Sequence, residues 1–325
     1  MDQEQTLFGT PAMAAVFSGE AHVRAILAFE AGLARAQARA GVIPEEVADA
    51  IAAACRVELF DVPALYREAA SAGTLAIPLV KTLTARVEGE HGRFVHWGAT
   101  SQDAIDSALM LQMRDGLDLL IDDLLALGDG LASLAELHRR TPMIGRTLLQ
   151  QALPITFGLK AARWLALTTR QARRLRELRA EALVVQLGGA AGTLASLGGD
   201  GVTVMERLAG ELGLHVPDLP WHTERDRIAE IVSAVCVVAG ATLKIAGDLV
   251  LLAQTEVGEV SEAVIAGKGG SSAMPNKRNP VDATFAIASA RLALGAVPTI
   301  LNAMDHQHER GVGGWQLEWS IIPSL

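Results

Sequence analysis

From Ile228 to Leu252 the chain would be apolar on nearly every side of a helix, with charge only at Glu230, Lys244 and Asp248. A surface helix needs one apolar stripe, whereas a helix that is apolar all round must be covered all round. A single layer of helices covers such a segment poorly. Either it forms an intrachain core or copies of the helix pack against one another, and the second arrangement is expected. Its uncharged run, Ile231 to Leu243, is shorter than the roughly 20 residues a bilayer span requires, so it reads as a buried helix.

The rest of the chain agrees with a helical architecture, because alternating β-branched runs between turn residues are nearly absent. One segment, Ala14 to Ala40, repeats Val16, Val23, Ile26, Leu27, Leu33 and Ala34 on one face and stops at Gly41. Another runs from Ser101, expected as its N-cap, to about Arg140, ahead of Pro142. Further helical patterns cover Ile155 to Leu187, Glu224 to Ile265 and Val281 to Met304. The expected fold is all-α, a long-helix bundle at residues 101–325 preceded by a small helical domain at residues 1–100.

Half of the 325 residues are hydrophobic, enough for a large core. The two cysteines, Cys55 and Cys236, sit in apolar helical pattern, which points away from a disulfide framework or a cysteine metal site and toward a reducing, cytoplasmic setting. The opening MDQEQTLFGT has acids where a secretory signal has bases, so no export is expected. A formal charge of −9 argues against nonspecific nucleic-acid binding and would repel an anionic substrate unless cations converge locally.

Such a convergence occurs at Gly267-Lys-Gly-Gly-Ser-Ser-Ala-Met-Pro-Asn-Lys-Arg-Asn-Pro280, a polar segment between long helical patterns. Its glycines allow close backbone approach, successive N–H groups can cradle an anion, and Lys277 and Arg278 add positive charge. A flexible linker would not need this concentration of donors.

The run GSSAMPNKRNP, residues 270–280, resembles the GSSxMPxKxNP signature of the fumarase/aspartase superfamily. Two further motifs follow the family order: His96-Trp-Gly-Ala-Thr-Ser-Gln-Asp103 is similar to HxGxTSxD, and Gly145-Arg-Thr-Leu-Leu-Gln150 to GRTHxQ. The segment from His306 to Trp319 looks like the HERxxGxWQxEW pattern of the lactonising, carboxymuconate-cycloisomerase branch, as does the opening from Leu7 to Ser18. The resemblance implies a cofactor-free homotetramer whose central bundle builds each active site from three subunits, one supplying each motif. It also implies a further helical domain beyond Leu325, so the chain is expected to be a truncated form.

The resemblance implies that Ser271 transfers the proton and that Lys277 and Asn279 hold the carboxylate on which charge accumulates. It makes Thr100, Ser101 and Gln150 substrate-binding positions, with Thr147, Ser272 and Met274 beside them in the same motifs. A tricarboxylate substrate also needs cations, for which Arg146, Arg310 and His96 are candidates. His306 and His308 have metal-like spacing, but no acidic helix motif accompanies them and no metal is expected.

Leu148 stands where most of these relatives have histidine, and leucine cannot move a proton. Hydroxide and amine leaving groups need protonation, whereas a carboxylate of pKa about 4 departs or attacks as the anion. Leu148 therefore suits a lactonising enzyme and is awkward for adenylosuccinate lyase, the nearest rival. A non-catalytic helical scaffold is the other, and the intact Ser271, Lys277 and Asn279 argue against it. Asn276 departs from the histidine of MPHKRNP and leaves one polar contact open.

Overall fold

A computed structural model describes residues 8–265 and 267–325, so Leu7 of the opening motif lies outside the described residues. Thr10 caps α1 (Pro11–Val16) and Ser18 caps α2 (Gly19–Arg39) by accepting a backbone N–H from the first turn. The expected single helix from Ala14 is thus two, because Ser18 competes for backbone bonds and restarts the chain. Its stop at Gly41 is as expected, with φ at +78°. Helices α3 (Glu45–Ala54) and α4 (Val62–Ala72) pack on α2, α5 (Ala76–Arg86) packs on α3 and α4, and α8 (Gly201–Leu212) packs on α2 as well.

The long elements are α6 (Ser101–Leu137), α7 (Phe157–Glu181) and α9 (Asp226–Leu252), followed by α10 (Val281–Leu294), α11 (Ala296–Asn302) and α12 (Gly314–Ile321). Thr100, and not Ser101, is the N-cap of α6: Thr100 and Asp103 form a capping box. A hairpin of β1 (Pro142–Thr147) and β2 (Gln150–Thr156) reverses the chain, so α7 runs antiparallel to α6, with Arg179 gripping Asp118. Trp164 Nε1 donates to Asp248 Oδ2 at 2.9 Å and Arg174 pairs with Glu230, which sets α9 antiparallel to α7. The Cys236 thiol meets the Ala293 carbonyl at 3.2 Å and sets α10 antiparallel to α9. The expected helix to Ile265 ends at Leu252, and the one to Met304 is broken at Gly295.

One continuous apolar cluster joins Phe29 on α2, Leu83 on α5, Met110 on α6, Leu175 on α7, Leu208 on α8 and Ile231 on α9. A small second cluster, Leu131, Trp164, Ile245 and Leu252, closes the opposite end of the bundle. One chain covers only part of the apolar helices: Val237 is 55% exposed, Leu292 67% and Leu301 51%. By length and composition α9 and the Val281–Asn302 stretch could each cross a membrane, but α9 packs lengthwise against α7 and α10.

A buried ionic knot ties α6 to the end of the chain. Arg225 forks onto Asp106 at 2.7 and 3.0 Å and onto Glu318 at 2.5 and 2.9 Å, with all three side chains no more than 1% exposed. Trp315 Nε1 donates to Asp106 at 2.9 Å, and the Trp315 and Trp319 rings meet edge to face at 4.6 Å. Burial raises the Glu318 pKa despite the guanidinium beside it. Removing one partner of such a knot strands charge without solvent. Arg225→Met is expected to lower stability by about 3–5 kcal/mol, read as a lower urea midpoint at unchanged slope; a loss under about 1 kcal/mol would refute this role.

Candidate active site

The first motif forms a turn wedged between α2 and the start of α6. His96 has φ of +60° and its Nδ1 lies 2.6 Å from Glu30 Oε1. Burial opposes charge on His96, but the Glu30 carboxylate and hydrogen bond, with Asp103 behind them, hold its pKa above the usual imidazole range. Gly98, at φ +76°, must be glycine because a Cβ there would lie 2.6 Å from the Leu197 side chain.

Asp103, fully buried, organises what surrounds this turn. Its oxygens accept from Thr100 N at 3.0 Å, Gly188 N at 3.0 Å and Gly189 N at 2.9 Å, and lie 2.6 Å from His222 Nε2. Arg310 in turn donates to the Gly189 carbonyl at 2.8 Å and the Ala190 carbonyl at 3.1 Å, and burial pulls its pKa down. His96, Thr100, Ser101 and Arg310 are therefore gathered at one end of the bundle. His306 packs its ring between Gly311 and Gly314, and burial lowers its pKa.

The remaining candidates lie at the opposite end. In the hairpin, Thr147 pairs with Gln150 across the two-residue turn Leu148-Leu149. Both leucines have positive φ, +50° and +63°, the pattern of a type I′ turn that normally takes Asn-Gly. Leu148 is 96% exposed in the single chain. Gly145 sits at a bulge where a Cβ would come within 2.9 Å of the Leu153 carbonyl. Arg146 forks onto Glu259 at 2.8 and 2.9 Å, which lowers the Glu259 pKa and raises that of Arg146. Its guanidinium is thus engaged by an internal carboxylate.

Beyond Glu259 comes the signature loop, irregular as expected. The loop neck is closed by Asn279, whose N and Nδ2 donate to the Gly269 carbonyl at 2.8 and 3.2 Å. Gly269 is required there, since a Cβ would lie 2.7 Å from the Asn279 carbonyl. Glu262 accepts the N–H groups of Asp282 and Ala283 and fixes the loop exit to the start of α10. At the apex Ser271 Oγ accepts from Ala273 N at 3.3 Å and Met274 N at 3.1 Å, so two amides already face the oxygen where negative charge would develop. Ser272, Met274 and Lys277 are exposed around it.

A family profile described as Lyase matches residues 7–295. The chain belongs to this lyase family. It is 52% identical to the 3-carboxy-cis,cis-muconate cycloisomerase of Pseudomonas aeruginosa over 96% of this chain and 69% of that protein. The Bradyrhizobium diazoefficiens protein of the same name is 49% identical over 98% of this chain and 71% of its own. The crystal structure of the 3-carboxy-cis,cis-muconate lactonizing enzyme of Pseudomonas putida superposes with a TM-score of 0.95 at 47% identity, covering 99% of this chain and 73% of that one.

Within this lyase fold, Glu30, His222 and the Gly188-Gly189 turn are partners the motifs do not reveal. Glu30 and Gln37 are polar interruptions on the apolar face of α2, and Gly188-Gly-Ala-Ala-Gly192 is a glycine run; neither pattern by itself names a partner. The strained hairpin tip yields a direct test. Replacing Leu148-Leu149 by Asn-Gly is expected to raise stability by about 1–2 kcal/mol while lowering turnover. Unchanged or lower stability in a urea titration would refute the strain, and unchanged turnover would refute a functional tip.

Proposed function

We propose that this chain is a cycloisomerase interconverting 3-carboxy-cis,cis-muconate and 4-carboxymuconolactone, as in the breakdown of protocatechuate. The observation that carries this reading is Leu148 at the hairpin tip, where a proton-moving side chain would serve an amine or hydroxide leaving group. The identity to cycloisomerases over nearly the whole chain supports it.

In the lactonising direction a substrate carboxylate oxygen bonds to one carbon of a double bond. The π electrons take the Ser271 hydroxyl proton at the carbon α to another carboxylate. A serine alkoxide remains and is stabilised by the Ala273 and Met274 amides before solvent reprotonates it. In reverse the alkoxide is the base and the carboxylate leaves unprotonated. Lys277 supplies fixed positive charge where the aci-carboxylate forms, and Asn279 keeps Ser271 in place by closing the loop neck.

The site is proposed to be shared between chains of a cytoplasmic homotetramer. Helix α6 has 37 residues, so His96 and Ser101 lie on the order of 55 Å from the hairpin, at about 1.5 Å per residue. Antiparallel α7, α9 and α10 leave the Ser271 loop beside the hairpin through Arg146 and Glu259, and Arg310 beside His96. Copies packed through the exposed apolar sides of α9 to α11 would cover those helices and bring the opposite ends of different chains together. Residues 1–100 and 101–325 are proposed as the N-terminal and bundle domains.

Purified protein offered 3-carboxymuconate and adenylosuccinate in parallel, followed by ultraviolet absorbance, is expected to turn over only the first. Ser271→Ala should lose several orders of magnitude in kcat with helicity unchanged, and Leu148→His should not improve lactonisation. General acid help is worth about a hundredfold to ten-thousandfold, so a substrate that needs it should react far more slowly even when bound. Efficient cleavage of adenylosuccinate, or near wild-type turnover by Ser271→Ala, would overturn the assignment.

A further inference from the structure

Helix α2 presents two buried polar side chains seven residues apart on its otherwise apolar face, Glu30 at 1% exposure and Gln37 at 0%. Both reach the same turn. Gln37 Nε2 donates to the Trp97 carbonyl at 2.6 Å, and Glu30 Oε1 lies 2.6 Å from His96 Nδ1. The turn they grip holds His96 at φ +60° and Gly98 at φ +76°, conformations a free chain would leave. Packing alone would fill these positions with leucine or alanine, as at Leu33 and Ala34 beside them. Burying a carboxylate and an amide there is costly unless they do something specific.

We propose that Glu30 is a positioning residue for substrate binding: it holds His96 as an imidazolium, with Nδ1 engaged and Nε2 free to receive a substrate carboxylate, while Gln37 clamps the backbone of the same turn. The inference rests on His96 lying in the site proposed above. Glu30 Oε2 is buried without a protein donor, so the imidazolium is what offsets the charge of Glu30. Orientation and charge then come from one contact. A neutral histidine at this position could be bound through either nitrogen; a histidine tied through Nδ1 presents one.

The other charged groups facing this pair are few. Asp103 on α6 adds negative potential at His96 but is itself engaged by His222 and by backbone amides. Arg310 lies across the Gly189 turn and Arg35 along α2. The Cys55 thiol, pushed up to about 12 by burial with Glu30 adding to it, stays neutral in the working range. Among these groups His96 is the one whose charge the Glu30 contact favours directly. Substrate affinity should be constant while His96 is protonated and fall as pH rises through its elevated pKa. Without the Glu30 charge that fall should move to lower pH, because burial alone disfavours the cation.

The test compares wild type, Glu30→Gln, Glu30→Asp and His96→Ala, using 3-carboxymuconate kinetics across pH and the NMR titration of His96. Glu30→Gln is expected to lower the His96 pKa and raise KM at neutral pH by about ten- to a hundredfold, with a much smaller change in kcat. Glu30→Asp should recover part of both. Damage by His96→Ala together with an unmoved titration and KM profile in Glu30→Gln would overturn the proposal and leave the site intact. Wild-type kinetics in His96→Ala would overturn the placing of His96 in the site and the proposal with it. Should Glu30→Gln fail to fold, the wild-type titration and Glu30→Asp decide: a wild-type His96 titrating at or below about 6.5, or unmoved by Glu30→Asp, overturns it.

Discussion

The two ends of a rigid helix cannot meet, and α6, at 37 residues, separates the chain's polar residues into two groups. Each neighbouring long helix runs antiparallel to the last, so each connection returns to one end or the other. The hairpin and the Ser271 loop are connections at one end. The His96 turn, the Gly188-Gly189 turn and the Arg310 segment are at the other. No local rearrangement closes such a gap. A site needing both sets can form only between chains, and the same helices that cause the separation carry the uncovered apolar surface through which chains would associate.

The end that holds the His96 turn is built by buried carboxylates, each with a different set of donors. Asp103 takes backbone amides and His222, which fixes the glycine turn against the start of α6. Asp106, one helical turn on, takes Arg225 and Trp315 and ties in α12. Glu30 takes His96. Charge buried this way adds little net stability, since desolvation offsets most of the attraction, but the geometry it demands is narrow. These contacts position; apolar packing stabilises.

The helices were legible in the sequence because apolar periodicity reports them, and their ends were less so because caps compete at neighbouring positions. Thr100 and Ser101 are both good caps, and the box with Asp103 decides for Thr100. The 142–156 hairpin was hidden since its turn has Leu148-Leu149 in place of the glycine-bearing pair that marks such turns. Helix α9 stops at Leu252 although Val257 and Val260 continue its apolar pattern; Gly258, at φ +61°, was the available signal. The signature loop was legible because a segment of glycines, serines and cations has no packing role. The partners of Glu30 and His222 were not, since they lie 66 and 119 residues away and only the fold brings them together; Glu30 itself shows in the sequence only as a polar break in an apolar face.

The separation of the two polar groups requires that one working site draw on more than one chain. The direct measurement mixes His96→Ala subunits with Ser271→Ala subunits, allows exchange, and follows 3-carboxymuconate turnover at substrate far below the wild-type KM. Neither variant alone should act appreciably. Mixed assemblies should regain part of the wild-type rate, because some sites then take His96 from one chain and Ser271 from another with neither defect present. If exchange is demonstrated by mass labelling and no activity returns, the site is not shared between chains in this way.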